Sequence, residues 1–236
     1  MTFKTKDISL TFNDLVVKLT IVENLDELFD NLIQKGDNHP DVVDERIPYW
    51  AELWASALAM SEYLVENQQL ITPSVNLGFG ISDLGAALPK SVTEIGCGLG
   101  LPSIIAGKLG AEVCLTDYDK DSLDFAKMNW QKNLPEKTAR FELLDWRNPD
   151  PSVSANLLLA SDVAYEKRAF EPLLNAFKIL LKPNGKILIT EPNRPVSTDF
   201  FSNLHTEGYQ VKKEKRTIEH RGHSFLINIY EIKLID

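Results

Sequence analysis

Cysteine is scarce in this chain, with two among 236 residues, Cys97 and Cys114. That is too few for a secreted disulfide scaffold. Both lie in apolar runs, where a thiol behaves as a small buried hydrophobe. Long apolar runs are also missing. No stretch approaches the roughly 20 apolar residues that cross a bilayer, and no export-type hydrophobic region follows Met1-Thr2-Phe3-Lys4-Thr5-Lys6-Asp7. The expectation is a cytoplasmic protein with no membrane partner. Positive charge is in deficit: 25 Lys and Arg face 34 Asp and Glu, for a formal charge of -9. Such a surface repels phosphate backbones, so no nucleic acid partner is expected. One basic run, Lys212-Lys213-Glu214-Lys215-Arg216, reads as a solvated strand or turn. The four histidines, His39, His205, His220 and His223, lack ligand spacing and have no cysteine beside them. No metal is expected.

What the chain does contain is enough apolar sequence, 44%, to bury one sizeable core. Ile8, Leu10 and Phe12 alternate with polar residues, as do Val17, Leu19 and Ile21. Two short strands follow from that period, with Asn13-Asp14 as the turn between them. Leu25, Leu28, Phe29 and Leu32 predict a short helix, and Lys35 to Arg46 a loop. Leu53, Ala57, Met60 and Leu64 recur at helical spacing and predict a helix within Tyr49 to Glu66. Asn67 to Pro89 is rich in turn residues, with a possible helix over Ile81 to Leu88.

From Ser91 the chain alternates strands and helices. Strands are predicted at 91–95, 112–116, 140–143, 156–160 and 186–190, and helices at about 102–109, 122–131 and 168–181. Pro183-Asn184-Gly185 reads as a turn. This rhythm implies a mainly parallel sheet with helices on both faces. Residues 209–216 and 224–232 break it and read as two facing strands, so the sheet ends antiparallel.

The strongest local signal is Glu94-Ile95-Gly96-Cys97-Gly98-Leu99-Gly100, at the join of the first of these strands and its helix. Glycines let the backbone turn sharply and approach a ligand. A dinucleotide fingerprint would place its third glycine at the sixth position. Here it falls at the fifth, with Glu94 two places before the first. That carboxylate suits an amine or an amide-rich turn better than pyrophosphate. Asp117 follows the next strand, where a carboxylate can accept both hydroxyls of a ribose. Asp145-Trp146 follows the third: an acid for an adenine amino group and an indole for its ring face. These strand ends belong to one crevice at the carboxyl edge of the sheet.

The set resembles the class I S-adenosylmethionine (SAM)-dependent methyltransferases, over about Tyr49 to the C-terminus. Asp162-Val163-Ala164-Tyr165, after the fourth strand, is similar to the Asp-x-x-Tyr signature of the seven-β-strand protein lysine methyltransferases, often called family 16. Ile47-Pro48-Tyr49-Trp50-Ala51-Glu52-Leu53-Trp54 resembles the Trp-containing segment before that family's glycine loop. This segment and Glu191-Pro192-Asn193-Arg194 are similar to the electron-transfer-flavoprotein β-subunit lysine methyltransferases. Leu101-Pro102-Ser103 with Gly110-Ala111-Glu112-Val113 resembles instead a branch assigned to arginine methylation.

The resemblance implies an α/β, Rossmann-like three-layer sandwich. Its seven-stranded, mostly parallel sheet would carry an antiparallel C-terminal strand, in a methyltransferase domain over 46–236 with an N-terminal extension over 1–45. It implies methyl transfer from SAM to a protein side-chain nitrogen, lysine foremost, with arginine, a small molecule or a nucleic acid base as alternatives. Glu94, Gly96, Gly98, Gly100, Asp117, Asp145 and Trp146 would hold the cofactor, with Trp54 closing over its methionine end. Asp162 and Tyr165 would line the acceptor channel, Asp162 orienting an amine and Tyr165 offering an aromatic face. A scaffold that kept the fold and lost the reaction is the alternative from another class.

Overall fold

The computed structural model describes residues 3–43, 47–72 and 90–235. The helix expected over Ile81 to Leu88 lies outside them. Strands β1 (Thr5–Phe12) and β2 (Leu15–Val22) form a hairpin around Asn13, whose φ of 49° suits a turn residue. Helix α1 (Asp26–Gln34) follows. The segment expected as plain loop contains a short helix, α2 (Pro40–Val43).

The helix expected within 49–66 is present but starts late. Tyr49–Ala51 form a single 3-10 turn, Glu52 and Trp54 are extended, and α3 starts only at Ala55 and ends at Glu66. Leu53 is nonetheless buried, so its apolar character marks packing rather than helical phase. The late start turns the aromatic side chains before α3 toward the sheet edge.

The βα alternation then runs β3 (Ser91–Ile95), α4 (Leu101–Lys108), β4 (Glu112–Asp117), α5 (Lys120–Asn133), β5 (Arg140–Leu143), β6 (Ala155–Ser161), α6 (Phe170–Leu180) and β7 (Leu181–Glu191). β7 starts earlier than the expected turn allows. Pro183-Asn184-Gly185 lies inside the strand as an irregularity, with Asn184 at φ 59° and a register shift against β6. The short helix α7 (Thr198–Asn203) leads to the long hairpin of β8 (Tyr209–His220) and β9 (His223–Leu234).

The main sheet has the order β5-β4-β3-β6-β7-β9-β8, and only β9 runs against the rest. The order in which successive strands are added reverses between the parallel neighbours β3 and β6, so the connections leaving those two strands diverge and open a crevice at their carboxyl ends. Apolar residues of β3, β6 and β7 are buried on both faces, as a sheet covered by two helical layers requires. One core joins the sheet to α3, α4, α5 and the N-terminal hairpin; the other joins it to α6 and α7.

The hairpin is fastened to α5 by two amides one helical turn apart. Asn133 Oδ1 accepts from Lys18 N at 2.9 Å while its Nδ2 donates to Lys18 O at 2.7 Å. Asn129 does the same at Thr20, at 2.7 and 3.2 Å. The side chains at i and i+4 thus satisfy the outward backbone edge of β2, which would otherwise be open for pairing.

Candidate active site

The glycine loop leaves β3 and enters α4. Gly96, Gly98 and Gly100 have φ of 67°, 50° and 79°, a region that costs an ordinary residue strain. A Cβ on Gly98 would lie 3.2 Å from Trp50 O, and one on Gly96 would lie 3.2 Å from Val163 Cγ1. The loop is therefore held against the segment before α3 on one side and the segment after β6 on the other.

Glu94 sits beneath the loop, wholly buried. Its Oε2 accepts from Ser103 N at 3.0 Å and Ser103 Oγ at 2.5 Å, which satisfies a first-turn amide of α4. Its Oε1 has no partner. Burial pushes the carboxyl up to about 8, and the Ser103 bonds oppose that shift. Asp117 ends β4 and is also buried. Its Oδ2 accepts from Gly98 N at 3.0 Å and Ser122 Oγ at 2.7 Å, and its Oδ1 accepts from Asp119 N at 3.1 Å. Burial raises its carboxyl above the ordinary value, again against these hydrogen bonds.

Across the crevice, Asp162 follows β6 with φ 59°, and its N–H donates to Thr190 O at 2.8 Å. Its side chain is only 7% exposed and meets the guanidinium of Arg194 through both nitrogens, Nη1 to Oδ1 and Nη2 to Oδ2. Ser56 Oγ, from α3, lies 3.4 Å from Oδ2. Arg194 is held in turn by Glu191, the buried end of β7. Glu191 Oε2 accepts from Arg194 N at 2.9 Å and Ser197 Oγ at 2.9 Å, and Oε1 accepts from Asn228 Nδ2. Asn228 Nδ2 also reaches Asn193 Oδ1, at 2.9 Å.

Three aromatic rings cover the mouth. Tyr49 meets Trp54 edge to face at 6.0 Å and Tyr165 edge to face at 5.7 Å. The Trp54 indole N–H is fixed by Tyr49 O at 2.9 Å. Burial pushes the Tyr165 phenol up to about 12, so at neutral pH it is a hydrogen-bond donor.

Among the expected site residues, Trp54, Gly96, Gly98, Asp117, Trp146, Asp162 and Tyr165 line this one crevice, together with Tyr49 and Trp50. Glu94 and Gly100 lie behind its wall, Gly100 facing Leu115 and Ala126. The Asp145 carboxylate is turned onto Arg147, with bonds of 2.6 to 2.9 Å, while Trp146 packs beside Gly96. The crevice encloses about 90 Å³, less than the ~300–1,000 Å³ usual for small-molecule sites. A larger hollow, about 730 Å³, opens at the other end of the sheet around Lys178, Asn184 and Lys233. It has no glycine loop and no buried acid among its lining.

Motif reasoning left out Tyr49, which lines the crevice, and Arg194, which pairs with Asp162 there. Tyr49 was legible as an aromatic beside Trp50 and Trp54. Arg194 stood in Glu191-Pro192-Asn193-Arg194, but its partner lies 32 residues earlier, and only strand pairing brings the two together. Among the described residues, no three His, Cys, Asp or Glu side chains cluster as a metal site requires. No helix among them is long and apolar enough to cross a membrane.

A strand order that reverses at the sheet centre, a glycine loop at that switch point and an acid ending the next strand define a nucleoside-binding α/β fold, and the antiparallel β9 between β7 and β8 matches the class I SAM-dependent methyltransferases. A family model described as lysine methyltransferase matches residues 46–207, and the chain belongs to that family. It is 28% identical over 178 residues to the protein N-lysine methyltransferase METTL21A of Xenopus tropicalis, covering 72% of this chain and 78% of that one. It is 26% identical over 192 residues to the histone-arginine methyltransferase METTL23 of Rattus norvegicus, covering 76% of each. Among solved structures, magnesium protoporphyrin IX methyltransferase from Synechocystis PCC 6803, with bound SAM, superposes with TM-score 0.57 at 15% identity over 89% of this chain and 91% of that one. At that identity the likeness concerns the fold. The glycine cradle, which a Cβ at Gly96 or Gly98 would fill, fits SAM, with Asp117 and Trp146 beside it in the same lining.

Proposed function

We propose that the protein transfers a methyl group from SAM to the side-chain amine of a lysine in a protein substrate. The observation that carries this reading is the juxtaposition of Asp162 with Tyr49, Trp54 and Tyr165 in the crevice that the glycine loop also lines. An aromatic mouth favours a cationic side chain on approach and excludes water, while the acid beyond it orients the nitrogen. Gly96, Gly98, Asp117 and Trp146 would hold the donor, Trp54 would cover its methionine end, and Glu94 and Gly100 would support the loop. Asp145 would reach the adenine only by turning from Arg147. SAM supplies an electrophilic methyl group. The acceptor amine would give up a proton to water, and Asp162 with the aromatic mouth would hold its lone pair toward that methyl group. The acceptor leaves as a methylammonium ion.

Arginine is the second reading, favoured by the similarity to the rat histone-arginine methyltransferase. The acidic balance of the chain, -9 overall, supports a protein over a nucleic acid as acceptor. The test is to incubate the purified protein with extract from the cells that express it and SAM labelled in the methyl group. After acid hydrolysis, label recovered as ε-N-methyllysine supports the proposal. Label in methylarginine moves the assignment to the second reading. Label only in nucleic acid, or none in a sample that binds SAM, overturns it.

A further inference from the structure

Asp162 is expected to face an acceptor nitrogen, yet it already holds a cation. The Arg194 guanidinium grips it through two nitrogens, and the carboxylate is 7% exposed. This pairing is built in from both ends. Asp162 is fixed by its N–H to Thr190 O and by a left-handed backbone with φ 59°. Arg194 is fixed through its own N–H by Glu191, which Ser197 and Asn228 anchor. The pair is a two-point fork on a buried acid, with the Arg194 side chain 30% exposed, and it is the fork that favours this partner over a single-point cation.

An amine can attack only with its lone pair free. A bare carboxylate beside it would favour the ammonium form and raise the amine's pKa, in opposition to reaction. We propose that Arg194 is a positioning residue: by pairing with Asp162 it cancels most of that charge, so the acid orients the acceptor nitrogen without holding it protonated. The specificity this implies is for an acceptor that arrives as a neutral amine. The inference rests on the methyltransferase reading above.

The surroundings leave Arg194 as the group able to do this. Ser56 reaches Asp162 from α3 with a neutral hydroxyl. Tyr49 and Tyr165 bring phenols, and Trp54 an indole. Asp117 belongs to the opposite wall and adds negative charge, and Glu52 at the rim is paired with Arg221 at 2.6 Å.

The test needs no identified acceptor. Sinefungin is a SAM analogue with an amine at the position of the transferable methyl, and S-adenosylhomocysteine lacks any group there. Titrating the full chain with each gives a ratio of affinities that reads the environment of that amine alone. In wild type the ratio should shift toward sinefungin as pH rises from about 7 to 9.5, because a site preferring the neutral amine gains as free ligand loses its proton. In Arg194→Gln, sinefungin should tighten about tenfold relative to S-adenosylhomocysteine at neutral pH. The pH trend should reverse there, since the bared carboxylate now prefers ammonium. Arg194→Lys, which returns the charge, should restore the wild-type direction.

A wild-type ratio that falls with rising pH overturns the inference even if no variant folds. So does a ratio unchanged in Arg194→Gln while both ligands bind; the methyltransferase reading then survives. If neither ligand binds folded wild-type protein, that reading fails and the inference with it.

Discussion

Two walls of one crevice each contribute buried acids, and they treat them differently. On the β3–β4 wall, Glu94 and Asp117 accept only from backbone amides and serine hydroxyls. On the β6–β7 wall, Asp162 is matched with a guanidinium, and Glu191 secures the loop that carries it. The first wall offers its acids no cation: burial raises both carboxyls, Glu94 to about 8, so Glu94 keeps its proton at neutral pH and Asp117 is the acid that lines the crevice for a ligand. The second wall neutralises its charge internally, where the reaction needs a neutral nucleophile. The same side-chain chemistry thus serves different electrostatic ends through the choice of partner.

The sharpest way to break this contrast is to close the first wall. Gly98→Val adds branched carbon at φ 50°, against Trp50 O, and should weaken SAM binding on the order of a hundredfold or more, measured by calorimetry. Binding within a few-fold of wild type would remove the glycine loop from the cofactor site. Next in size is Asp162→Asn on the second wall. It should lower methyl transfer at least about a hundredfold while S-adenosylhomocysteine binds almost as before. Equal loss of both would mean that the two walls are not separate in function.

Outside the crevice, Asn129→Ala strips the Thr20 backbone of both its partners and should destabilise the fold by about 2 kcal/mol in denaturant unfolding. Asn129 Nδ2 also donates to Leu99 O in the glycine loop, at 3.0 Å, so SAM binding should weaken a few-fold as well. The pH dependence of stability sharpens the contrast again. The Glu94 carboxyl rises from 4.5 in the unfolded chain to about 8 in the fold. The native state therefore holds a proton that the unfolded chain has lost, and the stability it contributes is full below 4.5 and lost as pH rises through 8. Glu94→Gln should flatten the melting-temperature profile between those limits; an unchanged slope would assign it to other groups. Smallest is Asp145→Asn, at a partly exposed pair with Arg147. Melting should shift by about a degree at most, and SAM affinity should fall less than tenfold.

The sequence made the first wall more legible than the second. Glu94 through Gly100 is contiguous, so the glycine spacing could be read in a single line. Asp117 was found because strand length fixes where the next carboxyl end must fall. The roles of these acids were less visible: burial turned Glu94 toward Ser103, while Asp145, with freedom at the surface, folded back on Arg147. On the second wall, Asp162 stood in its motif, but Arg194 carried no assigned role, and nothing in their spacing joined them. The helix expected within 49–66 formed over Ala55–Glu66 with Ala57, Met60 and Leu64, and only Leu53 fell outside it, for a related reason. Leu53 keeps helical phase with Ala57 but is buried on an extended segment, and apolar periodicity records burial before it records backbone angle.

By itself, the sequence determined the alternation of strands and helices, the glycine loop, the hairpin with its Asn13-Asp14 turn and the antiparallel ending. Each follows from local spacing, because side-chain period and turn chemistry act between near neighbours. Only tertiary structure decided the strand order and its reversal between β3 and β6. It also decided the fastening of β2 by Asn129 and Asn133 and the pairing of Asp162 with Arg194. In all three, residues far apart in the chain meet through backbone pairing or buried polar contact, and such partners are chosen by the packed whole.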